Sequence, residues 1–281
     1  MDSIQISFLK GLTKLSLWFV AKLVQEGTSE FPDALIRRVN IFRHTDLYDG
    51  KRNPSRETVG KAWYALVDEL EAIYLSSPDE FEDRGLHLLW PHIDARIQQP
   101  EDAEGPVARP YECWTSNERD AGLVCDKTGE NVHRLPCSMV EIHIDNVYKP
   151  KSPLSEMRTP FAASLIRLLE DAQRTHSGIE TIRCESWMNS SPGFSCFFPP
   201  SWLEDAVPVD WINYEVSHWG QFEDRRGDFH RRNGEEFRST GKLPFRCTSC
   251  CSPIAEVLKH LQTNFPDAVA HNQSMWPRMS V

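Results

Sequence analysis

Three side chains able to handle protons or metals alternate with apolar ones in Val140-Glu-Ile-His-Ile-Asp145. Residues two apart on a strand share a face, so Glu141, His143 and Asp145 stand together while Val140, Ile142 and Ile144 point the other way. That arrangement suits two chemistries. A carboxylate in an apolar setting and an imidazole can take and pass a proton, which makes Glu141 a candidate general base and His143 a proton carrier. A His-x-Asp pair also has the geometry of the first two ligands of a 2-His-1-carboxylate Fe(II) centre. In that alternative, an oxygenase, His143, Asp145 and His218 are the metal ligands, with His230 also available as the third, and Arg225 or Arg226 beyond His218 meets a 2-oxo acid carboxylate.

A second polar-aromatic cluster, Cys184-Glu-Ser-Trp-Met-Asn189, ends another strand-like run and offers Glu185 as the other candidate base. No Gly-x-Ser-x-Gly elbow surrounds Ser186 or Cys184, so a hydrolase triad is excluded. A third, Ser217-His-Trp-Gly-Gln-Phe222, adds Trp219 and Gln221. In a pocket, Trp187 and Trp219 would supply apolar walls, and Asp145, Asn189, Gln221 and Arg225 would orient a small-molecule substrate. The competing account makes the tryptophans core and the charges a solvated surface, leaving a non-catalytic binding or interaction protein.

The elements that must position these groups follow from periodicity. Val140 to Asp145 reads as a strand. Ser152 as N-cap and Pro153 open a helix carrying Met157, Phe161, Leu165, Leu168 and Ala172, which stops near Gly178. Thr181 to Trp187 resumes a strand. Strand, helix and strand in this order form a βαβ unit with parallel strands, and ligands of such sheets sit beyond the carboxyl ends of the strands. A short helix from Trp202 to Ala206 and a strand from Trp211 to Trp219 complete the pattern.

Ser186-Trp-Met-Asn189, Phe198-Pro-Pro-Ser-Trp202 and Trp219-Gly-Gln-Phe222 resemble an uncharacterised family of bacterial and fungal proteins. The order of elements is also similar to the second half of GNAT-type acyltransferases, a resemblance that implies acyl-CoA as cosubstrate. Those enzymes cradle the pyrophosphate on a glycine-rich loop entering the central helix. This chain carries Lys149-Pro-Lys-Ser-Pro-Leu-Ser155 there, so an anion would rest on Lys149, Lys151 and the helix N-terminus.

The first hundred residues read as helices, Ile4 to Gln25, Pro32 to Phe42, Glu57 to Tyr74 and Asp79 to Ile97. Gln98 to Ala108 is a polar linker, and further strands are expected at Pro110 to Thr115 and Gly122 to Cys125. The fold expected is α/β or α+β, a helical region 1–100 packed on an α/β domain 109–281 with a mixed sheet. A net charge of −10 argues against a nucleic-acid partner. Lys10, Lys14 and Lys22 break the apolar N-terminal stretch, so neither a membrane span nor a secretory signal is expected and the location is cytoplasmic. Eight cysteines without a paired framework are expected reduced, with Cys247, Cys250 and Cys251 a loop of inert thiols rather than a zinc site. The Arg225 to Arg238 cluster, interleaved with acids, reads as a salt-bridged helix face.

Overall fold

The computed structural model describes residues 3–48, 60–98, 114–118, 139–144, 146–175, 178–209 and 216–275. Helices and a five-stranded mixed sheet are both present. The chain divides into two compact units, Met1–Gly105 with Asp210–Pro244, and Pro106–Val209 with Phe245–Val281. The expected domain 109–281 is therefore interrupted. Aromatic burial accounts for this, since Trp219, Phe222 and Phe237 belong to the same core cluster as Phe19 of the N-terminal helix. Phe19 and Phe237 ring centroids are 5.0 Å apart.

In the first unit, α1 (Ser3–Gln25) buries Leu9, Leu12, Leu15, Phe19, Val20 and Leu23, a three-and-four repeat that makes one apolar stripe. Two more helices follow the same logic. The helix α3 (Lys61–Ser76) buries Trp63, Leu66, Val67 and Leu70, and α4 (Phe81–Gln98) buries Phe81, Gly85, Leu89 and Ile93. Gly85 lets the helices pack closely, because a Cβ there would lie 2.8 Å from Leu17 Cδ1 and oblige that side chain to shift. The helix α8 (Arg231–Thr240) is tied to α4 by two hydrogen bonds from the Arg238 guanidinium to Glu82, 2.9 and 2.6 Å long. Nearby in sequence, Arg226 pairs with Asp224 at 3.2 Å. These ion pairs use up charge locally, as the interleaved sequence implies.

A Cβ at Gly11 would lie 2.4 Å from Phe229 Cγ, and one at Gly234 would lie 2.7 Å from Phe229 Cζ. The ring is therefore gripped between two glycines. Gly11→Ala would add about 1 kcal/mol of helix propensity, but overpacking a filled site costs roughly 1–3 kcal/mol and outweighs that gain. The variant is expected to unfold at lower denaturant than the parent, with an unchanged slope.

The helix expected over Pro32 to Phe42 is broken into α2 (Phe31–Asp33), a π-type turn Ala34–Arg38 and a 3-10 turn Ile41–His44, with Val39 extended between them. Ala34, Leu35, Ile36, Val39, Ile41 and Phe42 are all buried. No straight helix turns so many neighbouring side chains inward, so burial overrides propensity. His44 closes this segment. Burial, reinforced by the Arg43 charge, lowers its pKa from 6.5 to about 4. The unfolded chain thus binds an extra proton between these values, and stability rises with pH through the window and is lost as pH falls from 6.5 towards 4. Denaturation midpoints measured at about pH 7 and about pH 5 are expected to differ, and His44→Gln should reduce the difference.

The second unit is built on a sheet of order β1-β2-β3-β5-β4. Its strands are β1 (Trp114–Glu118), β2 (Met139–Ile144), β3 (Thr181–Ser186), β4 (Val207–Pro208) and β5 (Thr248–Pro253). β1 runs antiparallel to β2, β2 parallel to β3, and β5 antiparallel to both β3 and β4. The crossover from β2 to β3 is α5 (Arg158–Thr175), which buries Phe161, Leu165, Leu168, Leu169 and Ala172. The βαβ expectation therefore holds, with α5 starting later than Ser152 implied. Short helices α6 (Pro192–Ser195) and α7 (Ser201–Glu204) follow β3, and α9 (Ile254–Asn264) and α10 (Pro266–Met275) follow β5. Trp202 on α7 stacks on Phe198 at 4.0 Å.

Two expectations need correction. The proposed strand Trp211 to Trp219 is contradicted over its described end, since Val216–Phe222 is a 3-10 helix that turns Trp219 and Phe222 into the core. The cysteines expected in a loop lie at the start of β5 and on it, where Cys250 faces Cys184 across the ladder. Burial raises the thiol pKa of both, most for Cys184, where Cys250 and Cys247 add to it. Residues 99–113 and 119–138 lie outside the described residues, and with them the linker, the Gly122 to Cys125 strand and Cys113, Cys125 and Cys137. No described helix is long and apolar enough to cross a membrane.

Candidate functional site

Alternation on β2 and β3 sorts their side chains into two faces. Val140, Ile142, Ile182 and Cys184 enter the core. Glu141 and His143 on β2, with Arg183 and Glu185 on β3, occupy the opposite face. Glu141 pairs in register with Arg183 on the neighbouring strand, so acid and base stand side by side. Glu141 is only 8% exposed.

The Arg183 guanidinium donates to Glu185 Oε2 at 2.5 Å and to Ser249 Oγ of β5 at 2.8 Å. Glu185 is thereby paired with a cation held between two strands, which suits it to shaping the local field. Neither Arg183 nor Ser249 stands out among the motifs. The Arg-x-Glu alternation in Thr181 to Trp187 is a usable signal for Arg183, whereas Ser249 depends on the register of β5.

The ladder between β2 and β3 is short. It runs Met139↔Thr181, Val140↔Ile182 and Glu141↔Arg183 and then stops, although each strand continues for three more residues. Beyond that point β2 stays paired with β1 and β3 with β5. The pairing of these two parallel strands therefore splits short of their carboxyl ends, on the side where α/β sheets receive ligands. The polar quartet stands at and beyond the fork.

The other residues singled out by sequence fall in different places. Trp187 follows β3 and packs on Phe245, ring centroids 5.4 Å apart. Asn189 is 2% exposed. Its Nδ2 donates to the Cys184 and Thr248 carbonyls at 3.1 and 2.8 Å, and its Oδ1 accepts from Trp202 Nε1 at 3.1 Å. That side chain is committed to holding the sheet. His218, Trp219, Gln221 and Arg225 belong to the first unit. Trp219 sits in its aromatic core, and buried Gln221 donates from Nε2 to the His218 carbonyl at 2.8 Å. Arg225 is exposed. Asp145 lies outside the described residues.

Among the described residues no three His, Cys, Asp or Glu side chains converge as a metal site, and Asp145, the carboxylate of the metal alternative, lies outside them. For the thiols the reason is the strand itself, since Cys251 points away from buried Cys250.

The loop before α5 is likewise filled by its own groups. Glu156 Oε2 accepts from the Ser152 N–H at 3.0 Å and from Ser155 Oγ at 2.6 Å, while Ser152 Oγ accepts from the Leu154 N–H at 3.1 Å. The Glu156 carboxylate thus takes donors of this loop and sets a negative charge beside them, which disfavours the anion that Lys149 and Lys151 were expected to hold. No known protein family, curated protein or solved structure matches the chain.

Proposed function

We propose that the chain is a small-molecule enzyme of the transferase type, acting at the split between β2 and β3. The observation that supports this reading is the end of the ladder after Glu141 and Arg183, with Glu141, His143, Arg183 and Glu185 on one face there. The substrate lies over this face of the sheet, where the ladder between β2 and β3 has ended. Glu141 takes the proton from the attacking group, and His143, two residues further along the same face, passes it towards solvent. The Arg183–Glu185 pair keeps its charges fixed beside the reacting atoms and so costs no reorganisation during the reaction. Trp187 and Phe245 form an apolar wall past the end of β3.

Acyl transfer is the reaction class put to the test. Because the loop before α5 disfavours a pyrophosphate, the nucleotide of an acyl-CoA gains nothing there, and acyl-pantetheine thioesters are expected to serve as donors comparably well. The experiment incubates the purified chain with short acyl thioesters of both kinds and a panel of small amines, alcohols and amino acids, and follows products by mass spectrometry. Turnover that is lost in Glu141→Gln and His143→Ala variants supports the reading. Absence of turnover with every donor removes acyl transfer, and full activity in both variants removes this site.

A further inference from the structure

The cysteines of the second unit differ sharply in surroundings. Cys184, Cys247 and Cys250 are buried, Cys251 is exposed, and Cys196 is partly exposed at the end of α6. Cys196 belongs to a cluster of nucleophile, cation and imidazole away from the strand split. Its Sγ donates to the Gly193 carbonyl at 3.2 Å and accepts from Arg158 Nη2 at 3.1 Å. The Arg158 guanidinium lies 5.8 Å from the Phe197 ring centroid and 5.6 Å from that of Phe265, and these two rings stack at 5.0 Å. An aromatic pair thus steadies the cation against the sulfur.

His260 Nε2 is 3.0 Å from the Cys196 carbonyl, and Asn264 Nδ2 is 3.2 Å from His260 Nδ1. Since the amide can only donate, Nδ1 accepts and Nε2 carries the proton that goes to the carbonyl. The imidazole is then an anchor that holds Cys196 against α9, and solvent is the base for the thiol. A partly exposed sulfur hydrogen-bonded to a guanidinium is a setting in which cysteines react, and the same exposed guanidinium draws in a reagent bearing carboxylates.

We infer that Cys196 is an S-thiolation site for a small anionic disulfide of the glutathione class. The thiol releases its proton to solvent, and the sulfur attacks one sulfur of the disulfide. A Cys196–S–S bond forms, the disulfide's own S–S bond breaks, and the departing thiolate is protonated by water. The small disulfide is the oxidant, and a reducing thiol reverses the step. This inference is independent of the reaction proposed at the strand split.

The test incubates the full chain with oxidised glutathione at neutral pH, quenches with acid and measures each mixed disulfide by peptide mass spectrometry. Cys196 is expected to react several-fold faster than exposed Cys251, and Arg158→Gln to slow it about tenfold by removing the local attraction for the anionic reagent. Wild-type protein treated with uncharged 2-hydroxyethyl disulfide provides a check that needs no variant, and there the advantage of Cys196 should shrink. Equal rates at Cys196 and Cys251 with oxidised glutathione, or an undiminished advantage with the uncharged disulfide, would overturn the assignment.

Discussion

Asn189→Ala is expected to destabilise the second unit by about 3 kcal/mol, since each buried group left without its hydrogen-bond partner costs about 1–3 kcal/mol. The side chain is 2% exposed and joins three elements through the Cys184 carbonyl of β3, the Thr248 carbonyl of β5 and the Trp202 indole of α7. Alanine leaves the indole N–H stranded inside an apolar cluster. Urea denaturation followed by tryptophan fluorescence measures the loss. Asn189→Asp tests the same geometry from the other side, as a carboxylate can accept from Trp202 yet repels two carbonyl oxygens, and it should be at least as damaging.

Glu141→Gln is expected to lower kcat by roughly 10²–10⁴-fold, the contribution of a positioned general base. Glutamine keeps the size of the side chain and its capacity to accept hydrogen bonds, so it removes proton acceptance while leaving substrate seating close to intact. KM should therefore change little. Glu185→Gln separates the two candidate carboxylates. Arg183 holds Glu185 at 2.5 Å, and its amide replacement should weaken the field at the fork and cost less than the change at Glu141. Initial rates for the two variants, with unfolding midpoints as a control, decide between them. Equal losses would mean that the pair acts as one unit, and a larger loss at Glu185 would reverse the two roles.

Much of the second unit is legible in the sequence because its signals are local. Alternation in Val140 to Asp145 and in Thr181 to Trp187 marks both strands, and the stripe from Phe161 to Ala172 marks the helix between them, so parallel pairing follows from topology. The split is not legible, since it depends on how far two strands stay in register, and no residue in either strand marks the end of the ladder. Trp219 and Gln221 illustrate the opposite problem. Their polar-aromatic neighbourhood looks like a pocket, but Phe19, Phe222 and Phe237 claim that tryptophan for the first unit's core. Long-range packing of this kind leaves no periodic trace. The broken segment from Phe31 to His44 escapes for the same reason, because consecutive burial at Ala34, Leu35 and Ile36 exceeds what one helix face can hide.

The most direct test of the proposed site is backbone amide hydrogen exchange of the chain with and without the acyl donor that gives turnover. Binding at the split should slow exchange within Ile142 to Ile144 and Cys184 to Ser186, at those N–H groups that face away from β1 and β5, and change the paired residues Met139 to Glu141 far less. Slowing confined to other segments, with Ile142 to Ile144 and Cys184 to Ser186 unchanged, would contradict the placement of the site.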